Sequence, residues 1–158
     1  MELEEEYIEE LKEIFDSNRN KRIVVLGTTC TGKTTLINYL QQGMDMDNEI
    51  FPLLTKEESD YVCQSPWTEQ IGAKMDELVR TKLSVKPGNP MFGTVLLDCD
   101  LIVYLHIDDE LLTHRVEKRN ANFENAKNMQ TKIEQEIKNS RLPVIVLEVT
   151  ENIKKRGM

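Results

Sequence analysis

The feature that most constrains this chain is a short apolar run, Lys21-Arg22-Ile23-Val24-Val25-Leu26-Gly27, that ends directly in a glycine-bounded loop. The run is β-branched and does not alternate, the pattern of a strand buried on both faces of a parallel sheet. Gly27-Thr28-Thr29-Cys30-Thr31-Gly32-Lys33-Thr34 then fits G-x-x-x-x-G-K-[ST], and Leu36, Ile37 and Leu40 behind it have helical spacing. Strand, loop and helix in that order are the setting a phosphate-binding loop requires. Gly27 and Gly32 let the backbone fold tightly round an anion, while successive N–H groups and the positive helix end point at phosphate oxygens. Lys33 is expected to reach β- and γ-phosphates as a point charge. The Thr34 hydroxyl is the expected Mg²⁺ ligand, and Thr35 is placed to meet an α-phosphate. Thr28, Thr29, Cys30 and Thr31 complete the loop, with Cys30 as a small filler.

The rest of the chain continues the alternation of strand and helix. Residues 2–16 place Leu3, Tyr7, Ile8, Leu11, Ile14 and Phe15 at helical spacing among glutamates, an amphipathic helix. Residues 43–59 carry little pattern, but Thr55-Lys56-Glu57-Glu58 fits a capping box that opens a helical turn. Tyr61–Gln64 reads as a weak strand. Ser65-Pro66 reads as the start of a helix that continues through Ile71, Met75, Leu78 and Val79. Residues 84–90 form a loop. Residues 94–98 and 101–107 both look extended, yet two neighbouring parallel strands cannot be joined by Cys99-Asp100 alone, because such a crossover takes a dozen or more residues. The second is therefore taken as the central strand and the first as its approach. Two helical patterns follow, around Leu111–Val116 and Phe123–Ile137, and then the apolar run Leu142–Val149. This order predicts an α/β fold with a parallel sheet of about four or five strands and helices on both faces.

The stretch from Asp100 to Asn120 resembles the small P-loop kinases of nucleosides, nucleotides, shikimate and gluconate. In that family an apolar strand is followed by a helix of the form E-x-L-x-x-R-x-x-x-R, matched here by Leu105 and then Glu110, Leu112, Arg115 and Arg119. Arg115 and Arg119 are four apart and share a helix face. The resemblance implies that they, with Lys118, belong to a lid over the transferring phosphoryl group. It also implies a P-loop NTPase-type sheet spanning residues 21–158, with the acidic helix of residues 1–20 as an addition. The loop after the last strand, Thr150-Glu151-Asn152, would lie against the adenine. Tyr61–Gln70 resembles the Asp-Arg segment of nucleoside kinases, except that Gln64-Ser65 replaces the charged pair. Either Asp45, Asp47, Glu69 or Asp98, the last closing a Walker-B-like string, then supplies the missing carboxylate, or phosphotransfer is weak or absent. Trp67 is either a stacking partner on the substrate side or a core residue, and His106 and His114 are taken as structural.

Composition narrows the function classes. At 158 residues the chain is expected to form one P-loop domain with an N-terminal helix. The 28 Asp and Glu outnumber 20 Lys and Arg, a net charge of −8 that disfavours a broad grip on nucleic acid. Eight of those carboxylates fall in residues 1–16 beside a single lysine, so residues 17–158 are nearly neutral, with 19 basic and 20 acidic side chains. Cys30, Cys63 and Cys99 are widely spaced and form no zinc pattern. The acidic start does not resemble a leader peptide, and no apolar run approaches the roughly 20 residues of a membrane span, so a cytoplasmic protein with reduced thiols is expected. An ATP-dependent kinase of a small acceptor, preferably a nucleoside or nucleotide, is the leading expectation. A nucleotide-binding module or slow NTPase is the alternative, without the N-K-x-D string of a guanine reader. The N-terminal helix is a candidate homodimer surface.

Overall fold

A computed structural model of the chain describes residues 6–150. In order, these form α1 (Glu6–Ser17), β1 (Ile23–Leu26), α2 (Lys33–Leu40), β2 (Met44–Asp45), α3 (Met46–Ile50), a 3-10 turn (Phe51–Leu53), α4 (Lys56–Val62), α5 (Glu69–Lys82), β3 (Met91–Gly93), β4 (Leu101–His106), α6 (Asp109–Lys118), α7 (Phe123–Ser140) and β5 (Val144–Glu148). The five strands make one all-parallel sheet in the order β2-β3-β1-β4-β5. β1, rather than β4, is its middle strand. Val24, Val25 and Leu26 are fully buried, as a strand covered on both faces must be.

Alternate residues of the strands feed two cores. Ile23 and Val25 of β1, with Leu101, Val103 and Leu105 of β4, face α1 and α6. Val24, Leu26, Ile102 and Tyr104 face α3, α5 and α7 through Ile50, Val79 and Ile133. Helix α1 is part of the first core, with Leu11 and Phe15 completely or almost completely buried and the Phe15 ring edge-on to Phe92, 6.1 Å between centroids. Its apolar face, which the sequence offered as an interaction surface, is covered by the chain's own sheet; residues 1–5 lie outside the described residues.

The segment 94–100 solves the problem of the two adjacent extended runs. It is a crossover, but one that passes over β1: β3 and β4 each pair with β1 on opposite sides, and Val95, Leu97 and Cys99 lie buried on the second core between them. A helix is unnecessary because alternate residues of an extended chain cover the strand beneath. β3 escaped notice in the sequence, being only three residues long and ending in glycine.

Other boundaries moved for identifiable reasons. Tyr61 and Val62 close helix α4 instead of forming a strand, because the capping box at Thr55 is made in full, Glu58 N–H to the Thr55 hydroxyl and Thr55 N–H to the Glu58 carboxylate, and starts a helix of two turns. Val62 then packs on Ile71 and Leu78 of α5. The cap of α5 is Thr68, whose hydroxyl accepts from Ile71 N–H at 3.2 Å, so Ser65-Pro66 precedes the helix. Among the described residues no helix is long and apolar enough to cross a membrane.

Candidate functional site

The loop leaves the carboxyl end of β1, where ligands of open parallel sheets bind. Its shape depends on residues with unusual backbone: Cys30 (φ 68°) and Gly32 (φ 95°) are left-handed, and a side chain on Gly27 would press on the Thr31 hydroxyl. Thr28 and Thr31 are fully buried and satisfied, the Thr28 hydroxyl donating to the Ala126 carbonyl and the Thr31 hydroxyl to the Thr28 carbonyl at 2.9 Å. Cys30 is buried in the first core, as a filler would be. Thr29 is half-buried, while Thr34 and Thr35 are exposed on the first turn of α2.

The Lys33 ammonium lies across the loop and donates to the Gly27 carbonyl at 2.6 Å and to the Thr28 carbonyl at 2.8 Å. Burial pushes this lysine down to about 8, against the opposing pull of Asp45 and Asp47 and with a further push from Arg119. Lys33, Asp45, Asp47 and Arg119 therefore share one field.

Asp45 ends β2, and its carboxylate accepts both the Asp47 N–H, at 2.9 Å, and the Thr34 hydroxyl, at 3.4 Å. Asp47 follows on the first turn of α3. Desolvation first, and then the Asp45 charge, hold its carboxyl above the usual range. Of the four carboxylates considered from sequence, the structure brings these two to the loop. Gly93 makes this possible, because any side chain there would collide with Met46 and lift α3 off the sheet.

Asp98 is elsewhere. It pairs with Arg22, 2.8 Å from the guanidinium, at the amino end of β1, where Asp100 accepts from the same arginine. A string of apolar residues closed by Asp describes an extended crossover as well as a Walker-B strand, and the crossover runs the other way. Trp67 is exposed against Gly72 of α5, and neither it nor Glu69 lines the cleft beside the loop.

The α6 basic residues do converge on that cleft, a space of about 260 Å³ walled by α1, α2, α6 and the loop. Arg115 is committed to the loop itself: its guanidinium donates to the Thr31 carbonyl at 2.9 Å, to Cys30 at 3.3 Å and to Thr150 at 3.3 Å. It is a positioning residue that ties the loop to the end of β5. Arg119, Lys118 and His114 are exposed at the cleft. His106 meets Glu148 at 2.7 Å, its neighbour in register across β4 and β5. Of the loop after β5, Thr150 meets Arg115 as described, and Glu151 and Asn152 lie outside the described residues.

The Thr34 hydroxyl and the Asp45 carboxylate fit a magnesium ion shared with phosphate oxygens, since Mg²⁺ is commonly held by one or two carboxylates plus substrate. The neighbouring Asp47 carboxylate adds negative charge at the same corner, which favours such a cation. Among the described residues no group of three or more His, Cys, Asp or Glu forms an all-protein cage, and the three cysteines are free. Compared with known proteins, the chain matches no family model and no curated protein.

Proposed function

We propose that this chain is an ATP-dependent phosphotransferase of a small acceptor, with a nucleoside or nucleotide preferred. The observation that carries this reading is the meeting of Lys33, Thr34, Asp45 and Asp47 at the carboxyl end of the sheet, two of them from the start of α2 behind the loop and two from the junction of β2 and α3. The loop N–H groups and Lys33 hold the β- and γ-phosphates, and Arg119 adds charge from α6. Bound Mg²⁺ would supply charge neutralisation between the phosphates, held by Thr34 and Asp45.

Asp47 is the candidate base. Its raised proton affinity suits it to take the proton of an acceptor hydroxyl as that oxygen bonds to the γ-phosphorus and the bond to the leaving ADP oxygen breaks. Phosphoryl transfer of this kind depends mainly on positioning and electrostatics.

A second reading, a slow NTPase or nucleotide-binding module, is favoured by one observation: Arg115 is engaged by loop carbonyls, so beyond Lys33 the basic charge that α6 leaves for a moving phosphoryl group is Lys118 and Arg119 at an exposed helix end. Transfer of labelled γ-phosphate from ATP to a panel of nucleosides, nucleotides and small alcohols tests both. Lysine-dependent transfer, lost in Lys33→Ala, supports the kinase. Hydrolysis with no acceptor phosphorylated supports the second reading.

A further inference from the structure

The cleft beside the loop has a wall that the kinase resemblance does not include. Tyr7 and Ile8, on the first turn of α1, line it together with Tyr39 of α2 and the basic side chains of α6. We propose that the base and ribose of a nucleoside triphosphate lodge in this cleft, with the N-terminal helix as part of their binding surface. This rests on the phosphate-loop reading and adds the location of the nucleoside. The resemblance alone would place the base against residues 150–152.

Three observations point there. The cleft is continuous with the loop, since Cys30, Thr31 and Gly32 line both and Thr35 stands at the junction, so phosphates on the loop lead directly into it. Its volume of about 260 Å³ lies just below the ~300–1,000 Å³ of ordinary small-molecule sites, which suits a nucleoside whose phosphates are held outside. Its surface combines aromatic rings with cations. Tyr39 is 44% exposed, and the Lys12 ammonium of α1 sits 5.4 Å from its centroid, joining α1 to α2 beside the opening. A planar base carrying negative phosphates is complementary to such a surface, because every base has a stacking face and tolerates neighbouring cations.

The test uses the full chain. After irradiation with 8-azido-ATP, peptide mapping is expected to find the label on α1 or α2, around Tyr7 or Tyr39, and excess ATP is expected to remove it. Tyr39→Ala changes an exposed ring and is expected to weaken ATP binding about tenfold while leaving inorganic tripolyphosphate binding unchanged. Label on residues 61–70 or beyond β5, or equal effects of Tyr39→Ala on ATP and tripolyphosphate, would overturn the proposal. Lys33→Ala separates the two levels. If it abolishes binding of both ligands while the label maps elsewhere, the loop reading stands and the cleft is wrong; if it changes neither, the loop reading fails and takes the cleft with it.

Discussion

Nucleotide affinity should depend on pH through Lys33. Its ammonium is half-buried against the Gly27 and Thr28 carbonyls, and burial lowers its pKa from 10.5 to about 8. The charged form, which a phosphate needs, is therefore dominant below about 8 and is lost above it. For one site with that value, the protonated fraction falls from about nine-tenths at pH 7 to about one-tenth at pH 9. A bound polyphosphate holds the proton on, so the observed affinity follows the free-state fraction and should drop about tenfold, ~1.4 kcal/mol, across that interval. Titration calorimetry with MgATP at pH 7, 8 and 9 measures it. Lys33→Arg is the control, because a guanidinium stays charged throughout and carries the same changes in nucleotide ionisation. Identical pH profiles for the two proteins would refute the reasoning.

Phe15→Ala should cost about 3–5 kcal/mol in urea unfolding, since it empties a buried ring site facing Phe92; a loss below ~1 kcal/mol would mean that α1 is an appendage after all. Asp45→Asn should weaken magnesium-dependent nucleotide binding by about tenfold or more, as loss of a charged ligand does, while Asp98→Asn, at an exposed ion pair with Arg22, should leave it unchanged. Arg115→Ala frees three backbone carbonyls of their donor and should weaken both ATP and tripolyphosphate, with hydrogen exchange rising in residues 28–32; unchanged exchange there would contradict its positioning role.

The strongly local parts of this molecule were legible in the sequence. The strand-loop-helix at residues 21–40 and the strand-helix at 101–118 carry their own pattern, since a fully buried strand has to be apolar and a capped amphipathic helix announces its faces. The pieces held by neighbours were not. β2 and β3 are two and three residues long and exist because β1 offers an edge to β3 and β3 in turn one to β2, so nothing in Met44-Asp45 or Met91-Phe92-Gly93 marks them beforehand. That same pairing decides which carboxylates reach the loop. Asp45 and Asp47 stood among four candidates until β2 and the start of α3 placed them at the loop, Asp45 against Thr34, and Asp98 was misleading because an extended crossover and a strand share one apolar pattern. Sequence spacing also put Arg115 and Arg119 on one face correctly, but spacing says nothing of partners. Only the geometry separates the arginine that holds the loop from the one left exposed at the cleft.

The central claim is that residues 27–35, together with Asp45 and Asp47, bind a magnesium nucleoside triphosphate. Calorimetric titration of the full chain with MgATP at pH 7, beside Lys33→Ala of confirmed fold, tests it most directly. Saturable one-to-one binding that falls by at least about a hundredfold in the variant is the predicted result, on the scale of losing a charge-assisted phosphate contact in a half-buried site. No binding to the unaltered chain, or equal binding to both proteins, would contradict it.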